Sequence, residues 1–375
     1  MSSTFDDAVV GAGILGLAHA FHLARQGRRV VVFERSPRAV GASVRNFGML
    51  WPIGQPAGAM HEMALRSRAL WLEVLRSSDL WHETVGSLHL AYRQDEAQVL
   101  AEFAVRAPSD GYVCELLTPE EVARRSPLVK TGGLLAGLWS PSEICVDPRQ
   151  VIARLPEWLT REFAVRFEYD TAVTAYDRPH VWAGGTKYSA ARLVVCSGDD
   201  LRTLYPETLG GAGLVRCKLQ MMRSTARSAR LGPMLAAGLT LRHYQNFRDC
   251  PSLDAVKSRV TRESPEYDRF GIHVMASQNA AGELVIGDSH EYEGAIGPFD
   301  KPEIDRLILD YLHTFLDVPD LEIAARWHGI YAKHPRDPYF IAHPAPGATA
   351  VTGVGGAGMT LSFGLADEVV RTLER

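Results

Sequence analysis

The sequence has few cysteines, few lysines and no excess of positive charge, and each shortage closes off a class of function. Five cysteines (114, 145, 196, 217 and 250) are an odd number, with no C-x-x-C pair and no metal-ligand spacing. A disulfide scaffold and a cysteine-held zinc are therefore not expected, and reduced thiols in a cytoplasmic chain are. The 40 Lys plus Arg include six Lys (130, 187, 218, 257, 301 and 333), which leaves 34 Arg and makes each lysine a position to inspect. A formal charge of −4 gives no broad positive field, which argues against a nucleic-acid partner and a membrane surface. The apolar run from Ala8 to Ala24 follows Asp6 and Asp7 rather than basic residues, and Gly and His interrupt it. It reads as neither a targeting nor a transmembrane segment. Repeats, low-complexity tracts and flexible linkers are also lacking, so the domains are expected to be interleaved.

What is present is a chain of 375 residues, 46% of them hydrophobic, enough for about two or three domains with a large core. Asp6 to Val10 reads as a buried strand, Ile14 to Gln26 as a helix and Arg29 to Phe33 as a second strand, the start of a doubly wound sheet. Met60 to Arg76 reads as an amphipathic helix, and Ser87 to Tyr92 as a strand. Thr118-Pro119-Glu120-Glu121 has the form of a capped helix start, and Asp147-Pro148-Arg149 opens another helix to about Arg161. Leu193 to Cys196 is a compact strand ending at Ser197-Gly198. Alternation at Leu239 to Tyr244, Gly271 to Met275 and Glu283 to Gly287 predicts an antiparallel sheet between about Leu214 and Tyr292. Pro302 to Leu316 reads as a helix. Ala348 to Thr352, Gly353 to Gly358 and Met359 to Leu373 repeat the opening order of strand, glycine turn and helix.

Gly11-Ala12-Gly13-Ile14-Leu15-Gly16 is a G-x-G-x-x-G between a strand and a helix, and Glu34 ends the next strand. The first Gly permits the turn, the second lets a pyrophosphate approach the backbone, and the third lets helix and sheet close together. The helix N-terminus favours the anion, and Glu34 is placed to accept from a ribose hydroxyl. This motif alone does not separate NAD from FAD.

Two further blocks do. Gly41-Ala42-Ser43-Val44-Arg45-Asn46-Phe47-Gly48-Met49 follows Arg35, and Thr352-Gly353-Val354-Gly355-Gly356-Ala357-Gly358-Met359-Thr360 lies near the C-terminus. With the fingerprint, in this order, they resemble the D-amino-acid oxidase superfamily, and more specifically its glycine oxidase and sarcosine oxidase branches. The resemblance implies an α/β plus α+β fold: a Rossmann-like FAD-binding domain (1–83, 146–212 and 326–375) and a discontinuous antiparallel-sheet substrate domain (84–145 and 213–325). It implies FAD contacts at Gly11, Ala12, Gly13, Ile14, Leu15, Gly16, Glu34, Arg35, Ala42, Ser43, Asn46, Gly48, Met49, Val173, Ser197, Gly198, Gly356, Gly358, Met359 and Thr360. The C-terminal glycines would bring backbone N–H groups to the flavin's pyrimidine edge, where reduced flavin carries negative charge. Arg45 would assist the same charge.

Departures from the family pattern narrow the function. Trp327-His328-Gly329-Ile330-Tyr331-Ala332 stands where many members carry W-x-G-x-R-P, and the substrate-holding Arg is here Tyr331. The covalent flavin Cys of the sarcosine oxidase branch falls on Gly329, so non-covalent FAD is expected. A Lys that some members place after the C-terminal glycines is Thr360, which leaves the electron acceptor open between O2 and another carrier. Arg326, His328, Lys333, His334, Arg336 and His343 form a cationic stretch suited to an anion with more charge than one carboxylate, such as a phosphonate. Lys218 to Met222 and Gly358 to Gly364 also resemble a branch associated with organophosphonate breakdown.

The expected reaction is oxidation of a small, anionic primary or secondary amine at its carbon–nitrogen bond, with hydrolysis of the imine to an aldehyde or keto product. 2-Aminoethylphosphonate or its N-methyl derivative is one substrate choice, and glycine or sarcosine the other. Candidate substrate-side residues are Arg45, His243, Tyr244, His273, Tyr331 and Lys333. Lys218 lines the site or sits on an edge, and His19 and His22 are structural. A pyridine-nucleotide enzyme and a non-catalytic flavin-bound scaffold remain the rival readings.

Overall fold

The computed structural model describes residues 4–292 and 295–373. Among these, eight strands form a sheet built around five that run parallel: Thr4–Val10 lies between Val30–Phe33 and Thr186–Val195, Arg166–Glu168 pairs with Val30–Phe33, and Ala348–Thr352 pairs with the end of Thr186–Val195. Val30–Phe33 is apolar and buried throughout, as expected of a parallel strand covered on both faces. Val10 pairs with Phe33 on one side and Val195 on the other, and Val195 pairs with Ala350. Four carboxyl-terminal strand ends thus meet at one edge, the usual ligand crevice of such sheets.

The helices Ile14–Arg25, Ala59–Ser77 and Gly358–Thr372 cover one face. Trp71 joins two of them: its indole N–H donates to the carbonyl of Met359 at 2.8 Å, and its ring meets Phe363 edge-on with centroids 4.8 Å apart. The capped starts are as expected. Glu121 Oε2 accepts from the Thr118 amide while Thr118 Oγ1 accepts from the Glu121 amide, and Asp147 Oδ1 accepts from the Arg149 amide.

A second, mainly antiparallel sheet of nine described strands stands over that edge. Its axis is the strand Val215–Ala226, with Glu283–Gly287 and Glu291–Tyr292 on one side and Ile323–Lys333 along the other. Ile323–Lys333 pairs from Ile323 to Lys333, so the expected domain boundary at 326 falls inside a strand of this sheet.

Two sequence expectations need correcting. Leu239 to Tyr244 is not a strand: Gly238–Arg242 is a short 3-10 helix, with Thr240 Oγ1 donating to the Ala237 carbonyl and the His243 amide donating to the Thr240 carbonyl. Alternate burial of Leu239 and Leu241 imitated a strand, but Thr240 between them is buried as well, and its hydroxyl bond supplies the turn. Gly271 to Val274 also precedes the ladder, which begins at Met275; within it His273 exchanges backbone hydrogen bonds with Asp288 of the adjacent segment.

Candidate functional site

A cavity of about 770 Å³ runs between the two sheets, from the first glycine turn past the second to a histidine-rich end. That volume lies toward the upper part of the ~300–1,000 Å³ range for ligand sites, and the elongated shape suits a dinucleotide with room beyond it.

At one end, Gly11 adopts φ +95°, and a Cβ there would lie 2.4 Å from the Cys196 carbonyl oxygen. A Cβ on Gly16 would lie 1.8 Å from the Gly11 carbonyl oxygen. These two glycines are therefore fixed by packing, while Gly13 opens onto the cavity, 3.1 Å from Ser43 Oγ if given a Cβ. The helix that follows has no side-chain cap and no acidic residue in its first turn. Its Ile14 amide donates to Ser43 Oγ at 2.9 Å, leaving the Ser43 hydroxyl proton for an anion. Glu34 accepts from the amides of Ala12 and Ser36 at 3.1 and 3.0 Å, which aims its carboxylate along the cavity wall and leaves lone pairs for a hydroxyl. Arg35 pairs with Asp200 at 2.8 Å across the rim.

At the second turn, Gly353 and Gly355 adopt φ +74° and +57°, and the helix Gly358–Thr372 likewise starts without a side-chain cap or a first-turn acid. Two uncapped helix N-termini thus face one cavity, an arrangement that favours negative charge at both places. Thr360 Oγ1 accepts from the Trp51 amide at 2.9 Å, tying this turn to the wall formed by Trp51 and Gly54. The residues fit FAD: the first turn would hold its pyrophosphate and the second its ring system. When bound, FAD supplies a two-electron acceptor.

Most of the expected cofactor positions line this cavity: Gly11, Gly13, Ile14, Leu15, Glu34, Arg35, Ala42, Ser43, Asn46, Met49, Val173, Ser197, Gly198, Gly356, Gly358, Met359 and Thr360. Ala12, Gly16 and Gly48 do not. Ala12 acts through its amide on Glu34, Gly16 is held by packing, and a Cβ on Gly48 would lie 1.9 Å from the Val146 carbonyl oxygen. Asn46 builds its own loop, donating to the carbonyls of Ala42 and Ser43 and accepting from the Gly48 amide.

All six substrate-side candidates reach the cavity. Arg45 donates to the His328 carbonyl at 3.0 Å. Gly329, Tyr331 and Lys333, two residues apart on one strand, share its inward face. A Cβ on Gly356 would come within 3.8 Å of the Tyr331 hydroxyl. Burial, followed by Cys217, Tyr292 and Asp288 nearby, holds that hydroxyl well above its ordinary range, so it is a neutral donor. Tyr244 packs its ring against Trp51 and directs its hydroxyl to Met275 Sδ at 3.2 Å.

The expected cationic stretch does not act as a unit. The alternation that turns Tyr331 and Lys333 inward turns Arg326 and His328 outward, where they meet Asp305 at 3.2 Å and Asp300 at 2.8 Å. His343 reaches Thr349 instead. Lys333, His334 and Arg336 remain on the cavity wall, and Lys218 is withdrawn, bound to the Gly297 carbonyl and Asp300. His19 and His22 are buried against the carbonyls of Leu15 and Phe363, as structural residues.

Sequence reasoning missed Asp288 and His290, which converge with His243 and His273. The imidazole centroids lie 4.0 Å (His243–His273), 4.6 Å (His243–His290) and 4.9 Å (His273–His290) apart, and His273 Nε2 is 3.2 Å from Asp288 Oδ1. His243 opens to the cavity, yet protein surrounds its ring; that lost hydration, then His290, Lys333 and Arg242, keeps it well below the ordinary imidazole range. Burial lowers His290 to about 4 and raises the Asp288 carboxyl well above its usual value. The missed signal was the alternation of Asp288 and His290 just beyond a strand that reads as ending at Gly287.

Fold and cavity together define a two-domain flavin-dependent oxidoreductase. A family model described as FAD dependent oxidoreductase (DAO) matches residues 6–372. A glycine oxidase of Geobacillus kaustophilus is 26% identical over 361 residues, covering 92% of this chain and 86% of that protein. The crystal structure of a glycine oxidase from Bacillus cereus superimposes with a TM-score of 0.80 at 17% identity, covering 99% and 95% of the two chains. That of an iminodiacetate oxidase from Chelativorans superimposes with a TM-score of 0.73 at 19% identity, covering 98% and 95%. The chain belongs to the FAD dependent oxidoreductase (DAO) family, and it is an FAD-dependent oxidase or dehydrogenase. Among the described residues no helix is long and apolar enough to cross a membrane.

Proposed function

We propose that this enzyme oxidises the carbon–nitrogen bond of a small primary or secondary amine whose far end is anionic, with 2-aminoethylphosphonate or its N-methyl derivative as the substrate class. The observation that carries the reading is the inward row Gly329, Tyr331 and Lys333. A planar guanidinium matches one carboxylate with two parallel bonds, whereas a neutral hydroxyl donor and a compact ammonium at separate points suit three oxygens around phosphorus. Arg45 and the histidine cluster complete that end of the cavity. Gly329 has no side chain with which to bond a flavin, which supports non-covalent FAD. The protein's task is to hold the amine neutral and oriented and to exclude water, so no side-chain base is required.

The glycine oxidase relative favours a second reading, in which a small amino acid such as glycine or sarcosine is oxidised. Anaerobic mixing of the FAD-loaded enzyme with each of the four amines, followed by admission of O2, separates the two. Faster flavin bleaching by the phosphonates is expected, and faster bleaching by glycine or sarcosine overturns the phosphonate assignment. Reappearance of flavin absorbance on admitting O2 identifies an oxidase, and persistent bleaching a dehydrogenase with another acceptor.

A further inference from the structure

The cluster at the far end of the cavity has the composition of a metal site rather than of an anion receptor. The potential ligand atoms of His243, His273 and His290 all lie within 4.8 Å of one another. Three imidazoles around a tetrahedral ion stand roughly 3.4 Å apart, given metal–nitrogen bonds of ~2.1 Å, so modest side-chain rotations close the triad. Each ring comes from a different segment: a turn, an irregular stretch before a strand, and the residues after the next strand.

Surrounding groups orient the rings. His290 Nδ1 lies 3.1 Å from the Gly271 carbonyl, which fixes one ring nitrogen and leaves the other available. His273 is 4% exposed, and among the described residues neither of its ring nitrogens makes a hydrogen bond, although Nε2 lies near Asp288. A buried imidazole without a partner costs stability unless something binds it. Asp288 Oδ1 stands 3.2 Å from His273 Nε2, where it would accept that ring's N–H if the other nitrogen turned to a metal, as carboxylates do behind metal-bound histidines.

We infer that His243, His273 and His290 bind one divalent transition-metal ion of the zinc or cobalt type, with at least one coordination position open to the cavity. Arg242 is engaged by Asp268, whereas Lys333 faces the same space and repels a bare cation. An anionic oxygen ligand bridging the ion and Lys333 resolves that repulsion. On the reading that the substrate carries an anionic end, that end is the bridging ligand, and the ion is a specificity element remote from electron transfer.

The test uses FAD-loaded enzyme stripped with a chelator and dialysed against Co2+ or Zn2+. Bound metal is measured by elemental analysis, and the cobalt form by visible ligand-field absorption. One ion per chain is expected, with affinity at least 100-fold lower in H243A and H290A, and about 10–100-fold lower in D288N. H243A is informative because the position opens to the cavity, and retained flavin reports its folding. Metal below one ion per chain in the unaltered enzyme, or equal retention by H243A, overturns the inference. Anaerobic bleaching by amines is scored separately: bleaching without metal binding defeats the metal site alone, and metal binding without bleaching defeats the proposed substrate alone.

Discussion

Glu143 provides the clearest quantitative test of how the cavity wall is tied to the antiparallel sheet. Its side chain is fully buried, with Oε1 accepting from the Ile53 amide at 3.0 Å and Oε2 from the Ser87 hydroxyl at 2.9 Å. Ile53 lies in the turn Pro52–Gly54, which forms cavity wall, and Ser87 begins a strand of the antiparallel sheet. Burial pushes the carboxyl up to about 7, against an ordinary value of 4.5, while these hydrogen bonds only partly oppose the rise. The folded state therefore holds the proton more tightly than the unfolded one. The resulting stability is fully present below about pH 4.5 and is lost as the pH rises through about 7, a change of about 3 kcal/mol. Glu143→Gln keeps a carbonyl oxygen for Ile53 and removes the titration. Denaturant unfolding of both proteins from pH 4.5 to 8, at one fixed FAD concentration, isolates the effect because the other titrating groups cancel in the difference. The variant is expected to gain about 3 kcal/mol on the unaltered protein across that range. A difference that does not change with pH would falsify the account of Glu143 as a buried acid without a compensating charge.

Three further outcomes are expected. Gly16→Ala forces a Cβ against the Gly11 carbonyl, so the purified protein should lack flavin absorbance; wild-type FAD stoichiometry in this variant refutes the packing argument. Ser43→Ala removes the acceptor of the Ile14 amide and a donor at the helix N-terminus, and should weaken FAD binding roughly 5-fold, about 1 kcal/mol; flavin-fluorescence titration of the apoprotein measures it, and an unaltered Kd excludes the role. Lys333→Met should raise KM for the acid-bearing substrate at least 10-fold with a smaller change in kcat, and should flatten the dependence of KM on ionic strength. A loss confined to kcat would contradict a binding role.

The nucleotide end of the molecule was legible because its signals are local. G-x-G-x-x-G between two strands, Glu34 after the second and the Thr118 capping box each act over a few residues, and each appears in the structure within a residue or two of its expected place. The histidine end was legible only in part. His243, Tyr244 and His273 do reach the cavity, but His243 and Tyr244 arrive on a turn rather than a strand, because the Thr240 hydroxyl bond competes with extended backbone. Asp288 and His290 were missed because their convergence with His243 depends on tertiary placement, which sequence spacing does not encode. The cationic stretch was misjudged for a simpler reason: a period of two divides it between opposite faces, and Asp300 and Asp305 neutralise the outer half.

The bond between the Trp51 amide and the Thr360 hydroxyl has a consequence for biosynthesis. The cavity wall combines residues near Gly11 with residues near Leu361, and about 350 residues of synthesis separate them. At ~5–20 residues per second, roughly 20–70 seconds pass on the ribosome after the first turn is made and before the second exists. For that interval the first glycine turn exists without the second, so it must be held by its own packing, the close approach of Gly16 to the Gly11 carbonyl among it, and the complete surface forms only afterwards.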